Sequence, residues 1–249
     1  MKSTDETAKQ LWEESFREQI QIHAYNTAPV EALARDVAYY LRDRYTPDQT
    51  KKLHFLEMGC GAGPNLVWLA ERGIKVSGID IAPTALDLAR QNLDQRGYKA
   101  RVGKLVEGSV AQVPFPDQSF DGILEACVFQ HLNKEDRVQA FREVGRLLKP
   151  GGVFVGYMLS RGHTIYQKKK AEERKEDPGT LVLQSGTSKV HLSNIGLSHF
   201  FAKEEFAKLL PGFKVVDPGL LEYQIPKEEA RKRGYDEYLQ SMWTVYAIK

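Results

Sequence analysis

The run Leu53-His54-Phe55-Leu56 is followed by Glu57-Met58-Gly59-Cys60-Gly61-Ala62-Gly63-Pro64, an acid and then three glycines at alternate positions. Glycines let a ligand lie directly against backbone. The free N–H groups at the start of a following helix add a polar cradle, and nucleotide-type ligands bind at strand-to-helix turns of this kind. The spacing narrows the class. A dinucleotide fingerprint requires a glycine three positions after the second one, and Pro64 stands there instead. Proline suits the first turn of a helix, where its missing N–H is no loss. No Gly-Lys-Ser/Thr follows, so the turn is not a phosphate loop either.

A second acid follows at a telling distance. Val76-Ser77-Gly78-Ile79-Asp80-Ile81 reads as a second strand ending in Asp80, 17 positions after Gly63. An acid there accepts hydrogen bonds from ribose hydroxyls in Rossmann-type sites. Further on come Glu107-Gly108-Ser109-Val110, then Val113-Pro114-Phe115-Pro116-Asp117-Gln118-Ser119-Phe120-Asp121, then Arg146-Leu147-Leu148-Lys149-Pro150-Gly151-Gly152. These four elements, in this order, resemble those of the class I S-adenosylmethionine-dependent methyltransferases. The resemblance covers residues 50–160 well and the rest loosely.

The resemblance implies S-adenosyl-L-methionine as cofactor and S-adenosyl-L-homocysteine as product. It implies a donor wall of Glu57, Gly59, Cys60, Gly61, Gly63, Asp80, Ile81, Ser109, Val110 and Glu125. Glu57 would face the methionine amino group and Asp80 the ribose. Ser109 departs from the aspartate frequent there, and its hydroxyl accepts the adenine amino group more weakly. Val110 would offer its N–H to the ring. Glu125-Ala126-Cys127-Val128-Phe129-Gln130-His131 follows the fourth strand, whose C-terminal end faces the cofactor. His131 is expected either as a capping or packing histidine or, with an ordinary pKa of about 6.5, as a catalytic base near the acceptor. Tyr25 is expected to join it near the methyl group. Trp12, Phe129, Tyr157 and His163 are expected to line the acceptor side, with His191 and His199 flanking the same region. No spacing of His, Cys and Asp suggests a metal.

Composition sets the outer bounds. The 249 residues suffice for one well-buried α/β domain with a small cap. A formal charge of +2 calls for neither nucleic acid nor membrane as partner. Two cysteines form no disulfide framework and suit a reducing compartment. The N-terminus lacks an apolar signal core, and no run approaches the ~18–20 apolar residues of a membrane span. The expectation is a cytoplasmic enzyme acting on a small-molecule N, O or S nucleophile. The alternatives are an RNA or protein methyltransferase using the basic insertion, and a cofactor-binding regulatory protein without turnover.

The elements that must position these residues follow from periodicity. Helical patterns cover 5–23 and 29–45. Strands are expected at 53–58, 75–80, 103–108, 120–126 and 152–159, alternating with helices at 64–72, 83–96 and 134–148. That alternation predicts an α/β fold with a doubly wound, mostly parallel sheet. The resemblance adds strands near 213–223 and 243–248, for seven in all with the last antiparallel. One domain is expected over 1–249. Within it, 1–48 form a helical cap, 49–159 the cofactor core, 160–202 a substrate lid, and 203–249 the last helix and edge strands. The charge run 168–177 reads as a solvated helix face.

Overall fold

The computed structural model describes residues 4–184 and 192–249. The chain opens with α1 (Thr4–Gln21), α2 (Glu31–Arg44) and the short α3 (Pro47–Thr50). Thr46 caps α3 by accepting from the Gln49 N–H, while the Gln49 side chain returns to the Thr46 N–H. Strands and helices then alternate through β1 (His54–Met58), α4 (Pro64–Glu71), β2 (Lys75–Asp80), α5 (Pro83–Gln95), β3 (Val102–Glu107), β4 (Phe120–Ala126), α6 (Lys134–Leu147) and β5 (Leu148–Leu159). Proline begins both α4 and α5, and Asn133 caps α6 through the Asp136 N–H.

An excursion follows, built of α7 (Thr164–Lys169) and an antiparallel hairpin of β6 (Thr180–Leu183) and β7 (Gly196–His199). The chain closes with α8 (Glu205–Leu209), β8 (Val215–Gln224), α9 (Lys227–Lys232) and β9 (Leu239–Ile248). The main sheet has seven strands in the order β3-β2-β1-β4-β5-β9-β8. β1 to β5 pair in parallel, and β9 runs antiparallel between β5 and β8. The seven-stranded, mostly parallel sheet with an antiparallel last strand is thus as expected. The hairpin β6–β7 and helix α9 were not anticipated.

Strand alternation sends side chains to opposite faces. Leu56 and Met58 join Phe141, Val144 and Leu147 of α6 on one side. Phe55 joins Leu33, Val37 and Tyr40 of α2 and Leu66 and Leu69 of α4 on the other. The excursion has a third small core, in which Leu159, Ile165, Leu181, Phe200, Tyr238 and Met242 meet. Strand order reverses between β1 and β4, and the C-terminal ends of these two strands open a crevice, the usual ligand position in such sheets.

The charge run 168–177 is not one solvated helix face. α7 ends at Lys169, and Asp177 is buried in an ion pair with Arg137 of α6, at 2.6 Å. Among the described residues, no helix is long and apolar enough to cross a membrane.

Candidate functional site

A cavity of about 880 Å³ lies over the crevice. The chain enters it from β1 through a tight turn. Gly59 has φ +79° and Gly63 φ +77°, both in the left-handed region that disfavours other residues. A Cβ on Gly59 would also fall 2.2 Å from the Val128 side chain, and one on Gly63 3.0 Å from that of Ala89. The Gly59 and Cys60 N–H groups both donate to the Ile79 carbonyl, binding the turn to the end of β2.

Two acids flank this turn. Asp80 accepts from the Gly61 N–H at 2.8 Å and the Ala82 N–H at 3.0 Å, one on each oxygen. Each oxygen keeps a further lone pair. Burial raises the Asp80 pKa. Glu57 is 1 % exposed, and its Oε1 accepts from the Asn65 amide at 2.7 Å. Its Oε2 has no partner. Burial, then the nearby Asp80 and Glu125 carboxyls, push the Glu57 pKa up to about 8. An unpartnered carboxyl oxygen in a cavity wall is where a ligand cation gains most.

Cys60, Gly61, Ile81, Ser109 and Val110 complete this wall. The Val110 N–H has no acceptor among the described residues, while the Ser109 hydroxyl accepts from the Ala111 N–H at 3.3 Å. Gly63 does not reach the wall; its role is the close approach of α4 to α5. Helix α1 roofs the wall with Thr7, Leu11, Trp12 and Phe16, one helical face. The roof is tied down where Glu13 accepts from the Thr84 N–H at 3.1 Å and from the Thr84 hydroxyl.

The loop after β4 corrects three expectations. Cys127 sits at φ +62°, and that left-handed step aims the Val128 and Phe129 N–H groups at the Glu125 carboxylate. Glu125 therefore holds the loop and is fully buried, outside the cavity wall. Phe129 is likewise absent from the wall and packs between Phe141 and Phe154 in the core. His131 does reach the cavity, but not as a base poised for neutral pH: burial pushes its pKa down to about 4. Its Nδ1 donates to the Leu197 carbonyl at 3.0 Å, because a carbonyl can only accept. Its Nε2 then accepts from the Gln130 amide at 3.2 Å, whose oxygen is already engaged by the Leu159 N–H. The ring meets Trp12 edge-on, with centroids 5.2 Å apart. His131 thus joins the roof helix, β7 and the β4 loop.

The far side of the cavity carries Tyr157, His163, Leu192, Leu197, Arg233, Tyr238, Gln240 and Met242. Tyr157 and His163 line the cavity here, and Trp12, expected beside them, lines it from the α1 roof instead. Tyr25 does not line the cavity; its neighbour Asn26 does. His199 is also elsewhere, bonded to Thr180 and Glu205 inside the excursion. His191 lies outside the described residues. Sequence reasoning missed Tyr238, Gln240 and Met242. They alternate from the residue before β9 into its start, and that period of two was the available signal.

The comparisons with known proteins agree with this geometry. Residues 56–156 match the family model described as a methyltransferase domain. Over these residues the chain is similar to the S-adenosylmethionine-dependent methyltransferases. Over 126 residues, 51 % of the chain, it is 30 % identical to a sterol 4-C-methyltransferase of Caenorhabditis elegans. Over 102 residues, 40 % of the chain, it is 36 % identical to a demethylmenaquinone methyltransferase of Deinococcus radiodurans. The matches span only 36 % and 40 % of those two relatives. A S-adenosylmethionine-dependent methyltransferase of Methanosarcina mazei has the same fold, with TM-score 0.63 and 21 % identity over 86 % of this chain and 96 % of that one.

S-adenosyl-L-methionine is the cofactor of this methyltransferase family, and the donor wall fits it. The orphaned Glu57 Oε2 suits its ammonium group, the spare lone pairs of Asp80 suit two hydroxyls, and the free Val110 N–H suits an acceptor nitrogen of a purine.

Proposed function

We propose that the protein is an enzyme that transfers a methyl group from S-adenosylmethionine to a small, largely apolar acceptor. The observation that carries this reading is the continuity of one cavity. The donor wall of Glu57, Asp80 and Ser109 and the ringed chamber of Tyr157, His163 and Tyr238 enclose the same space. Its volume is in the usual range for small-molecule sites. The relatives named for a sterol and for demethylmenaquinone are consistent with an apolar acceptor.

Bound S-adenosylmethionine supplies an activated methyl group on a sulfonium. The chain's own contribution is alignment and exclusion of water, worth up to ~7–11 kcal/mol in favourable cases. Glu57, Asp80 and Val110 would hold the donor, and the roof of Trp12 and Phe16 would keep water out. His131 would keep that roof and the β7 hairpin together as a positioning residue. The charges of the excursion are of mixed sign rather than one basic patch, although Lys168, Lys170 and Lys175 have no ion pair among the described residues. Lys169 faces Glu172, Arg174 pairs with Glu176, and Asp177 is taken by Arg137.

The test is release of S-adenosylhomocysteine when the protein, S-adenosylmethionine and a small-metabolite pool are mixed. Release is expected with the wild type and lost in Asp80→Ala. Cofactor binding without release from any pool would favour a regulatory binding protein, and salt-dependent binding of tRNA would favour the nucleic-acid reading.

A further inference from the structure

Within the reading of the cavity as a methyl-transfer site, we propose that the acceptor is an organic carboxylate: an apolar body whose carboxylate is received by Arg233 and the Nε2–H of His163. The argument begins with His163. It is 2 % exposed, lines the cavity, and caps α7 by accepting the Ile165 N–H on Nδ1 at 3.2 Å. Nδ1 is therefore the unprotonated nitrogen, and Nε2 must carry the hydrogen. Among the described residues nothing accepts that hydrogen. Nε2 is not fully buried, so this donor is open to the cavity space, where a ligand acceptor can take the place of water.

Arg233 stands beside it. Its guanidinium lies over the Tyr238 ring, 5.2 Å from the centroid, and the His163 ring meets the same Tyr238 edge-on at 5.2 Å. Arg233 is exposed at the cavity rim, and none of the described carboxylates forms an ion pair with it. The nearby Glu228 and Glu229 are held by Lys232. A planar guanidinium matches a carboxylate with two parallel hydrogen bonds, and stacking on Tyr238 fixes its plane.

The rest of the chamber has no anion to compete. Of the acids lining the cavity, Glu57 and Asp80 belong to the donor wall, and Asp136 is bound to Asn133 at the start of α6. His131 and His163 are held neutral by burial, and Tyr157 is pushed up to about 12. Arg233 is thus the one fixed cation lining the chamber among the described residues; the Glu229 carboxylate lies within its electrostatic reach but is paired with Lys232. Leu159, Leu192, Leu197 and Met242 supply an apolar bed for the remainder of the molecule.

The experiment is calorimetric titration of the protein saturated with S-adenosylhomocysteine. The probes are octanoate and 4-phenylbutyrate, set against octanamide and 4-phenylbutyramide. At least one carboxylate is expected to bind about tenfold tighter than its amide, the size of one charge-assisted contact. Arg233→Gln should erase that preference and Arg233→Lys keep part of it. Neither change should alter the affinity for S-adenosylhomocysteine. The proposal is overturned if acid and amide bind alike, if neither acid binds, or if Arg233→Gln keeps the preference. Failure of the wild type to bind S-adenosylhomocysteine would instead overturn the methyl-donor reading on which the proposal rests.

Discussion

Glu57 is the residue whose chemistry is most exposed to test. In the free protein its buried carboxyl has a pKa of about 8 and is mostly protonated at pH 7. A ligand ammonium beside Oε2 favours the ionised form and lowers that pKa. Binding at pH 7 must then release close to one proton to the buffer. The sign follows by linkage: the complex prefers the deprotonated acid, so affinity rises with pH until about 8 and levels off above it. Calorimetry of S-adenosylhomocysteine in buffers of different ionisation enthalpy should show this release, and Glu57→Gln should abolish it. Equal proton release in both proteins would refute the assignment. Glu57 and Asp80 were legible as acids ending strands, because their place before and after a glycine turn is a matter of spacing. Glu125 was misplaced because spacing cannot show where a side chain turns. Only the left-handed step at Cys127 reveals that two backbone N–H groups occupy its carboxylate. His131 was legible as a wall residue but not as a neutral one, since burial sets its pKa.

Among the elements, α1 shows how a helix remote from the sheet enters the site. Its apolar face carries Leu11, Trp12 and Phe16 over the donor wall, so the helical period in the sequence does reflect packing on the site. Two polar ties fasten it to the core. Glu13 receives both the N–H and the hydroxyl of Thr84 at the start of α5, and Lys9 reaches Glu107 at the end of β3. These bonds lower the Glu13 pKa against the opposing effect of its burial. Glu13→Ala should therefore loosen the roof without touching the cofactor's own contacts. Loss of a charge-accepted pair of bonds corresponds to about 1.5–3 kcal/mol, or roughly tenfold to a hundredfold weaker cofactor binding. The thermal midpoint should change little, because α1 lies outside the three cores. Unchanged cofactor affinity in Glu13→Ala would show that the roof is held by its apolar face alone. The parallel strands were readable because each is a short apolar run between turn residues. The hairpin β6–β7 was not, since four-residue strands leave too few positions to reveal a period.

At the scale of the molecule, the chamber exists only if the excursion stays docked on the core, and beside the His131–Leu197 bond a buried network contributes to this. Arg137 of α6 donates to Asp177 at 2.6 Å and to the Leu132 carbonyl at 3.1 Å. Asp177 also accepts from the Thr180 hydroxyl at 2.6 Å, and Thr180 meets His199, which meets Glu205 at 2.9 Å. Arg161 closes the circuit on Glu205. None of this was visible in the sequence, where Asp177 ends a run of charges and looks solvated. Which charge in a run is buried depends on a partner forty positions away. Both members of the Arg137–Asp177 pair are almost wholly buried, so removing one leaves the other charged and unmatched in a low-dielectric setting. That costs about 3–5 kcal/mol, whereas replacing both with apolar residues of similar volume is often neutral. Asp177→Ala is expected to lower the thermal midpoint by roughly 6–20 °C, and Arg137→Met combined with Asp177→Leu to recover most of the loss. Circular dichroism melts of the three proteins decide it. A single variant that melts within about 1 °C of the wild type would mean that water reaches Arg137 when Asp177 is gone. The excursion would then be docked by its small apolar core of Ile165, Leu181 and Phe200 rather than by charge.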